Sequence, residues 1–299
     1  MADSTEALRL AAFAHLDRLK RLHPNGALPS AEINAFWYDG KPVRLIVQTG
    51  IWKPAGMAAA LSIRTTYTAP SELPPYDDDV GDDGFVRYKY RGTDPEHSDN
   101  RSLREAMRTG TPLIYFVGVG RGVYAAHYPV WIEAEDPLNL EFTVSVDPAQ
   151  RALTRVDMTM PEREYVLRLT KHRLHQRDFR TRVLYAYDDR CAMCRLKHVP
   201  LLDAAHILRD GHPRGLPVVP NGLALCKIHH AAFDENILGV RPDLVVEVRT
   251  DVLREIDGPM LLHGLQEMHG VRVHVPKMTR ARPDPEGLEE RYEEFRASA

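Results

Sequence analysis

The feature that most constrains this chain is a set of four metal-binding residue types in one short window. The 299 residues include three cysteines. Cys191 and Cys194 form a C-x-x-C pair, and Cys226 and His229 form a C-x-x-H pair. Two such pairs separated by a loop are typical of a closed tetrahedral zinc site. The sequence therefore predicts that these four residues bind one structural Zn²⁺, which joins the two ends of the window.

Composition places the chain among cytoplasmic globular proteins. A hydrophobic content of 43% supports real cores, and the length allows two domains. No run of eighteen apolar residues occurs, so we expect no membrane association. The first 22 residues alternate apolar and charged positions at helical spacing, which predicts an amphipathic helix rather than a signal peptide. Three cysteines grouped for metal binding indicate a reducing compartment.

The distribution of strand-like and helix-like segments predicts an α+β protein with two domains. Residues 1–150 are expected to form a mostly β domain, residues 151–175 a basic helical linker, and residues 176–299 a second domain. Residues 69–100 are rich in Pro, Asp, Gly and Tyr, and predict a long irregular region of the kind that is usually functional or disordered. Strand-like runs within the first domain are 43–48, 112–118, 121–132 and 140–145.

The net charge of −3 does not indicate nucleic-acid binding, but a local basic stretch does. Between residues 163 and 182 the chain carries seven Arg and Lys residues and two His residues. Such a stretch is often a solvated helix face. Because it precedes the predicted zinc site, we favour contact with DNA phosphates through Arg173, Arg177 and Arg180.

The same window contains residues suited to phosphodiester hydrolysis. His206 follows the apolar run L-L-D-A-A, which predicts a strand that brings the imidazole to a surface. Histidine is the natural general base near neutral pH. Asn221 precedes a second apolar run and is placed to orient the intervening loop. His230 and Asp234 lie four residues apart, so on a helix they project from one face and can share a divalent ion.

These residues resemble the HNH, or ββα-metal, nucleases. The matching pattern is C-x-x-C, then A-A-H-I, then N-G-L-x-L-C-x-x-H-H-x-x-F-D, within about residues 173–238. The spacing of fifteen residues from His206 to Asn221, nine to His230 and four to Asp234 also resembles that of colicin-type nucleases. The resemblance implies that His206 is the general base, that Asn221 orients a loop, and that His230 and Asp234 bind a catalytic Mg²⁺ or Mn²⁺.

The position directly before the base differs from many members of that family. Those enzymes carry an Asp or His there as another metal ligand, whereas this chain has Ala205. Asp203 is the nearest carboxylate, but a residue three positions back on a strand points to the opposite face from His206. We therefore favour a turn or a salt bridge for Asp203. Asp234 has its own alternatives, a role near the helix end or a pairing with Arg.

The segment from Pro74 to Gly92, P-P-Y-D-D-D-V-G-D-D-G-F-V-R-Y-K-Y-R-G, resembles the loop with which SRA domains read modified cytosine. The likeness extends over about residues 35–135 and implies a PUA-like β-barrel. It implies that Tyr76 and Tyr88 stack on a flipped base, that Asp79 accepts a hydrogen bond from the exocyclic amine, and that Asn100 belongs to a loop that enters the duplex. Two extra residues before Gly92 leave open whether Tyr88 or Tyr90 is the second ring.

Together these resemblances favour a modification-dependent restriction endonuclease. Its partner would be double-stranded DNA that contains 5-methylcytosine or 5-hydroxymethylcytosine. Because one HNH site cuts one strand, we expect a homodimer. Two alternatives stay open: an HNH enzyme that reads unmodified sequence or phosphorothioate, and a non-catalytic reader of modified DNA. Trp37, Tyr38 and Trp52 are more often core residues than base-stacking ones.

Overall fold

The computed structural model describes residues 2–67, 69–72, 85–153 and 159–298. They form two compact units, each mixing helices and strands. The N-terminal unit contains the described residues up to Arg177, apart from a short segment that begins at Ala69. That segment belongs to the C-terminal unit together with the residues from Asp178 onward. No helix in the described part of the chain is long and apolar enough to cross a membrane.

The elements of the N-terminal unit come in the following order along the chain. They are α1 (Ala2–Leu22), β1 (Leu28–Pro29), α2 (Ser30–Ile33), β2 (Trp37–Tyr38), β3 (Lys41–Pro42), β4 (Ile51–Trp52), β5 (Ser62–Arg64), β6 (Val86–Lys89), α3 (Ser98–Thr109), β7 (Leu113–Gly120), β8 (Val123–Asp136), β9 (Glu141–Ser145) and α4 (Pro148–Leu153). The long helix α5 (Met160–Ala186) includes the boundary between the units.

One sheet organises the N-terminal unit. Among the described residues it has seven strands in the order β4-β5-β7-β8-β9-β6, with β1 also paired to β8. Strands β5 and β7 are parallel, and the other pairs are antiparallel. The whole of β7 is buried. Its alternate residues belong to two different cores, Tyr115 to one that includes α3 and Phe116 to one that includes α1, so helices cover both faces of this strand.

The apolar runs that predicted strands at 112–118, 121–132 and 140–145 correspond to β7, β8 and β9. The run at 43–48 is not a strand, so that prediction was wrong. Leu45 and Ile46 are buried, but their backbone N–H groups donate to the side-chain Oδ1 of Asn34 instead of to a neighbouring strand. Residues 85–100, the described end of the predicted irregular region 69–100, include β6 and the start of α3.

The C-terminal unit is built from short elements around one core. They are β10 (Leu202–His206), β11 (Gly222–Cys226), α6 (Lys227–Asp234), β12 (Leu238–Val240), β13 (Val246–Val248), α7 (Thr250–Arg254), α8 (Pro259–Gly264) and α9 (Pro285–Ala297). β10 pairs with β11, and β12 pairs with β13, both antiparallel. The core joins these strands to the last turns of α5 and to α9 through residues such as Phe179, Tyr187, Phe233 and Leu288.

Candidate metal centre and catalytic centre

A ββα element lies at the centre of the C-terminal unit. In the β10–β11 pair His206 lies opposite Gly222, and Leu202 lies opposite Cys226. Helix α6 begins at the residue after Cys226. The pair therefore places His206 at one end of the two strands and the Cys226–His229 knuckle at the other. His230 follows that knuckle directly, on α6.

The four predicted zinc ligands lie together. One donor atom from each of Cys191, Cys194, Cys226 and His229 lies within 4.8 Å of the other three. His229 Nδ1 is 3.3 Å from Cys191 Sγ and 3.2 Å from Cys226 Sγ. The other ring nitrogen, Nε2, donates to the carbonyl oxygen of Gly264 at 2.8 Å, which leaves Nδ1 directed at the sulfurs. Three sulfurs and one imidazole nitrogen are a donor set that suits Zn²⁺.

Backbone hydrogen bonds hold the first knuckle, the Cys191–Cys194 turn, against β11. Ala192 N–H donates to the carbonyl of Ala224 at 2.6 Å, and His274 N–H donates to the carbonyl of Ala192 at 2.7 Å. Hydrogen bonds from the Cys191 and Cys194 thiols lower the pKa of Cys226, although burial opposes this effect. The thiolate is the form that binds a metal. The site is thus assembled by the fold around it.

His206 packs face to face on an aromatic ring. Its imidazole is half-buried at the end of β10. The ring centroid lies 4.1 Å from that of Phe179 on α5, and the two planes differ by 17°. Sequence reasoning did not identify this contact, because Phe179 lies 27 positions earlier in another element.

The Asn221 side chain fastens the loop that joins β10 to β11. Its Oδ1 accepts from Leu208 N–H at 2.8 Å, and its Nδ2 donates to the carbonyls of Leu208 and Leu216, both at 3.0 Å. The backbone carbonyl of Asn221 also accepts from Ile207 N–H at 2.9 Å. The amide therefore bonds both ends of the loop that begins directly after His206, an arrangement that suits the expected orienting role.

His230 and Asp234 face each other on α6. His230 Nε2 lies 3.3 Å from Asp234 Oδ2, and both side chains reach solvent. The preceding residue, His229, is buried at the sulfur cluster, so the two adjacent histidines contact different groups. Within the described part of the chain, the sulfur cluster is the one group that gathers three or more potential metal ligands within 4.8 Å. The His230–Asp234 pair is therefore not part of a larger cluster there, but its adjacent nitrogen and oxygen can supply two protein ligands to an ion.

Asp203 is held by cations on both sides. Lys227 Nζ lies 2.6 Å from Oδ2, and Arg180 Nε lies 3.6 Å from Oδ1. Burial raises the pKa of Asp203, but the hydrogen bonds from Lys227 and from Ala204 N–H, together with the nearby charges, outweigh it, so the net pKa is lowered. These contacts favour the expected salt bridge over metal binding.

The predicted DNA-contacting arginines of α5 separate into two groups. Arg180 donates to the carbonyls of Val199 and Leu202 at 3.2 and 3.1 Å, so its guanidinium is occupied at the start of β10. Arg173 and Arg177 are exposed and lie four residues apart on one face of the helix. Contact with phosphates stays a prediction for Arg173 and Arg177, whereas the contacts of Arg180 indicate a structural role.

Two of the three residues of the predicted base pocket lie outside the described residues. This applies to Tyr76 and Asp79. Tyr88 lies in β6 and is 8% exposed, its hydroxyl donates to the Arg64 carbonyl at 3.1 Å, and burial raises its pKa to about 12. Tyr90 is 7% exposed, stacks on Phe142 and donates to Glu135. Both rings are therefore packed within the unit.

Asn100 is fully buried at the start of α3. Its Oδ1 accepts from Arg91 N–H at 2.9 Å, and its Nδ2 donates to the carbonyls of Arg91 and Asp94 at 3.2 and 2.8 Å. The amide is thus used within the unit to fasten the turn before the helix. This placement argues against the predicted entry of Asn100 into a DNA duplex.

The N-terminal unit also has a polar cleft of about 1150 Å³. Its lining includes Arg44, Trp52, Arg64 and Tyr124, and no carboxylate among the described lining residues. Arg64 donates to the Tyr124 hydroxyl at 2.7 Å, and its buried Nε has no partner in the described part of the chain. Sequence reasoning considered Trp52 chiefly as a core residue, but its indole is half-buried at this cleft.

Comparison with known proteins gives two similarities. Residues 191–241 match the family HNH_2, described as HNH endonuclease. A solved structure, the modification dependent TagI restriction endonuclease, is 18% identical over 83% of this chain and 86% of that chain, with a TM-score of 0.29. No curated protein sequence matches the chain. The matched segment contains β11 and α6 with the second knuckle, so the C-terminal unit carries an HNH DNA endonuclease domain.

Proposed function

We propose that the chain is a modification-dependent restriction endonuclease whose two units divide recognition from cleavage. The observation that carries the nuclease half is the ββα element, in which β10 ends at His206 and α6 presents His230 beside Asp234. The N-terminal unit, by its resemblance to SRA domains, recognises 5-methylcytosine or 5-hydroxymethylcytosine in duplex DNA.

In the C-terminal unit, His206 takes the proton from the attacking water. Asn221 keeps the loop that follows His206 closed through its three side-chain hydrogen bonds. His230 and Asp234 would hold a divalent ion, Mg²⁺ or Mn²⁺. When bound, such an ion stabilises the negative charge that develops on the phosphate and on the leaving oxygen.

The sulfur cluster has a structural role in this proposal. Its four donors would fill the four positions that zinc takes in a closed site, leaving none for water, so zinc held there would not take part in hydrolysis. Its contribution is to join the first knuckle to the start of α6. Because His229 lies directly before His230, the cluster also helps to fix the helix that would hold the catalytic ion.

Recognition of a modified base requires its removal from the stack and new partners for its faces and edge. Tyr76 and Asp79 are the proposed partners, by the resemblance. Tyr88, the third residue that the resemblance implies, would have to leave its packed position to stack on the base. The polar cleft offers a second region for DNA contact, because it combines two guanidinium groups with an indole and lacks carboxylates among its described lining residues. Substitutions in each region, tested for loss of the preference for modified DNA, show which of the two regions binds the base.

The decisive experiment compares matched plasmids that carry 5-methylcytosine, 5-hydroxymethylcytosine or unmodified cytosine, each with Mg²⁺ or Mn²⁺. We expect cleavage of a modified plasmid and little cleavage of the unmodified one. Equal cleavage of all three would reject recognition of modified cytosine and leave an HNH endonuclease of other specificity. Failure to cut any of them under all conditions would favour the non-catalytic reader.

The catalytic assignment is tested by His206→Ala. We expect cleavage to fall by at least ~10²-fold, the usual scale for loss of an acid–base group. Binding of modified DNA and metal content should stay at the wild-type values, because His206 is not among the four clustered ligands. His198→Ala is the matched control, since His198 is an exposed histidine of the same unit. Cleavage by His206→Ala near the control rate would contradict the assignment.

A further inference from the structure

We propose that Phe179 is a positioning residue that fixes the plane of the His206 imidazole. This inference rests on the proposed role of His206 as general base. The two rings are stacked with centroids 4.1 Å apart and planes 17° apart. Phe179 is 1% exposed, so its ring is itself held by the core. One face of the imidazole is thereby closed, and the two ring nitrogens are confined to one plane.

Gly222 provides the space for this stack. It lies directly opposite His206 in the strand pair. A Cβ atom at Gly222 would lie 2.8 Å from Phe179 Cζ and 2.6 Å from Val183 Cγ2, closer than side chains tolerate. The backbone of Gly222 is extended, with φ −130°, and any residue adopts that conformation. The glycine is therefore required for the close approach of α5 and not for backbone freedom.

The neighbouring residue on α5 fixes the register of this contact. Arg180 donates to the carbonyls of Val199 and Leu202, and so fastens the same helical turn to the start of β10. His206 is at the other end of that strand. Phe179 therefore meets the imidazole from a helix that is bonded to the strand carrying it. A base confined in this way spends less time in orientations that cannot accept the proton from water.

The first test compares Phe179→Leu with Val183→Ala. Leucine keeps the site apolar but removes the flat ring, whereas Val183→Ala creates a defect in the same core beside Gly222 and keeps both rings of the stack. Tyrosine is unsuitable, because a hydroxyl on Cζ would run into Gly222. We expect Phe179→Leu to lower kcat by about 10- to 100-fold with little change in KM, the scale for a misplaced catalytic group.

Val183→Ala should keep kcat within about threefold of the wild type, and both variants should keep the wild-type metal content. A similar fall of kcat in both variants would show a general defect of the core and overturn the proposal. Wild-type kcat in Phe179→Leu would overturn it as well.

The second test is a double-mutant cycle that separates this proposal from the role of His206. If Phe179 acts through His206, adding Phe179→Leu to His206→Ala should lower the residual cleavage no further. An equal additional fall in the His206→Ala background would overturn the proposal while leaving His206 as the base. If His206→Ala itself cleaves normally, the proposed base is wrong, and that outcome differs from failure of the stack alone.

Discussion

At the residue scale, two carboxylates of the ββα element differ in what surrounds them. Asp203 lies between Lys227 and Arg180, and its side chain is 30% exposed. The Asp234 carboxylate lies beside His230, and its side chain is 52% exposed. A carboxylate already paired with two cations must lose them to bind a metal ion. The more open Asp234 needs no such exchange, so we propose that Asp234, and not Asp203, is a ligand of the catalytic ion.

This assignment predicts opposite results for two matched substitutions. Asp234→Asn should lower Mg²⁺-dependent cleavage by on the order of tenfold or more and raise the metal concentration needed for half-maximal rate, because a charged ligand is lost. Asp203→Asn should keep cleavage within about threefold. Both are measured by titration of Mg²⁺ against the rate of plasmid nicking. A raised metal requirement in Asp203→Asn alone would reverse the assignment.

The pairing of Asp203 also predicts a pH dependence of stability. Its folded pKa is lowered, so its stabilisation is present above the ordinary Asp pKa of about 3.9 and is lost as pH falls through the folded value. At pH 7, Asp203→Asn should lower the free energy of unfolding by about 1 kcal/mol or less, since the pair is partly exposed. Denaturant unfolding from pH 7 downward should show this difference disappear in acid. A constant difference would exclude the ion pair as its cause.

Short-range patterns were sufficient to predict which side chains lie close together where the contact depends on sequence spacing alone. The two knuckles and the His230–Asp234 pair are each separated by three or four positions, and one turn or one helix determines their geometry. The position of Asn100 could not be predicted in this way. Its amide bonds the backbone of Arg91 and Asp94, nine and six positions earlier, and only the fold brings these groups to it. The Phe179 stack was equally unpredictable, since it requires knowing that Phe179 of α5 packs against the end of β10.

At the element scale, the end of α6 is fixed by side chains from elsewhere in the unit. Arg291 of α9 is 3% exposed, donates to the Phe233 carbonyl at 2.6 Å and lies over the Phe233 ring. Arg209 donates to the Asp234 carbonyl at 3.2 Å. These bonds satisfy carbonyls that a helix end leaves open and suit the negative end of its dipole. Helix α9 therefore helps to hold the helix that carries His230.

Arg291→Met should thus lower stability more than an ordinary surface change. We expect a loss of about 1.5–3 kcal/mol in the free energy of unfolding, the usual value for a hydrogen bond to a charged group. Arg296→Met is the control, because Arg296 lies on the same helix and is exposed. Denaturant titration measures both. Equal small losses of unfolding free energy in the two variants would show that the hydrogen bond from Arg291 to the Phe233 carbonyl does not stabilise the fold.

The two knuckles predict one tightly held zinc per chain. Because His229 and two of the cysteines are buried, mild chelation should leave about one equivalent of zinc bound. Cys226→Ser should lose that zinc and unfold at lower temperature, whereas His198→Ala, a change away from the cluster, should keep it. Elemental analysis after EDTA treatment measures the content. Full zinc content in Cys226→Ser would show that the cluster is not the binding site.

Strands were predictable where an apolar run pairs with neighbours along most of its length, as in β7, β8 and β9. The run at 43–48 is similarly apolar, but a side chain competes with neighbouring strands for its backbone N–H groups. Asn34 supplies one side-chain oxygen to two consecutive N–H groups, and this replaces strand pairing. The residue pattern of the run does not predict these hydrogen bonds, because they join residues eleven and twelve positions apart.

At the scale of the whole molecule, cleavage of both DNA strands needs either two catalytic centres or one centre that cuts the two strands in sequence. Each chain supplies one His206 and one His230–Asp234 pair, and one HNH site cuts one strand. A symmetric dimer brings two such sites to one duplex and is the commonest assembly for a soluble enzyme. We therefore propose that restriction is carried out by a homodimer.

Mixed dimers provide the test of this proposal. When His206→Ala protein is added in excess to wild-type protein, most active chains should pair with an inactive one, so the products should change from linear to nicked plasmid. At fixed total DNA, gel electrophoresis measures the ratio of the two products. The exposed-site variant His198→Ala, added in the same amount, should leave linear product dominant. If linear product persists in the mixture with His206→Ala while sedimentation shows a monomer, each chain cuts both strands in sequence and the dimer is not required.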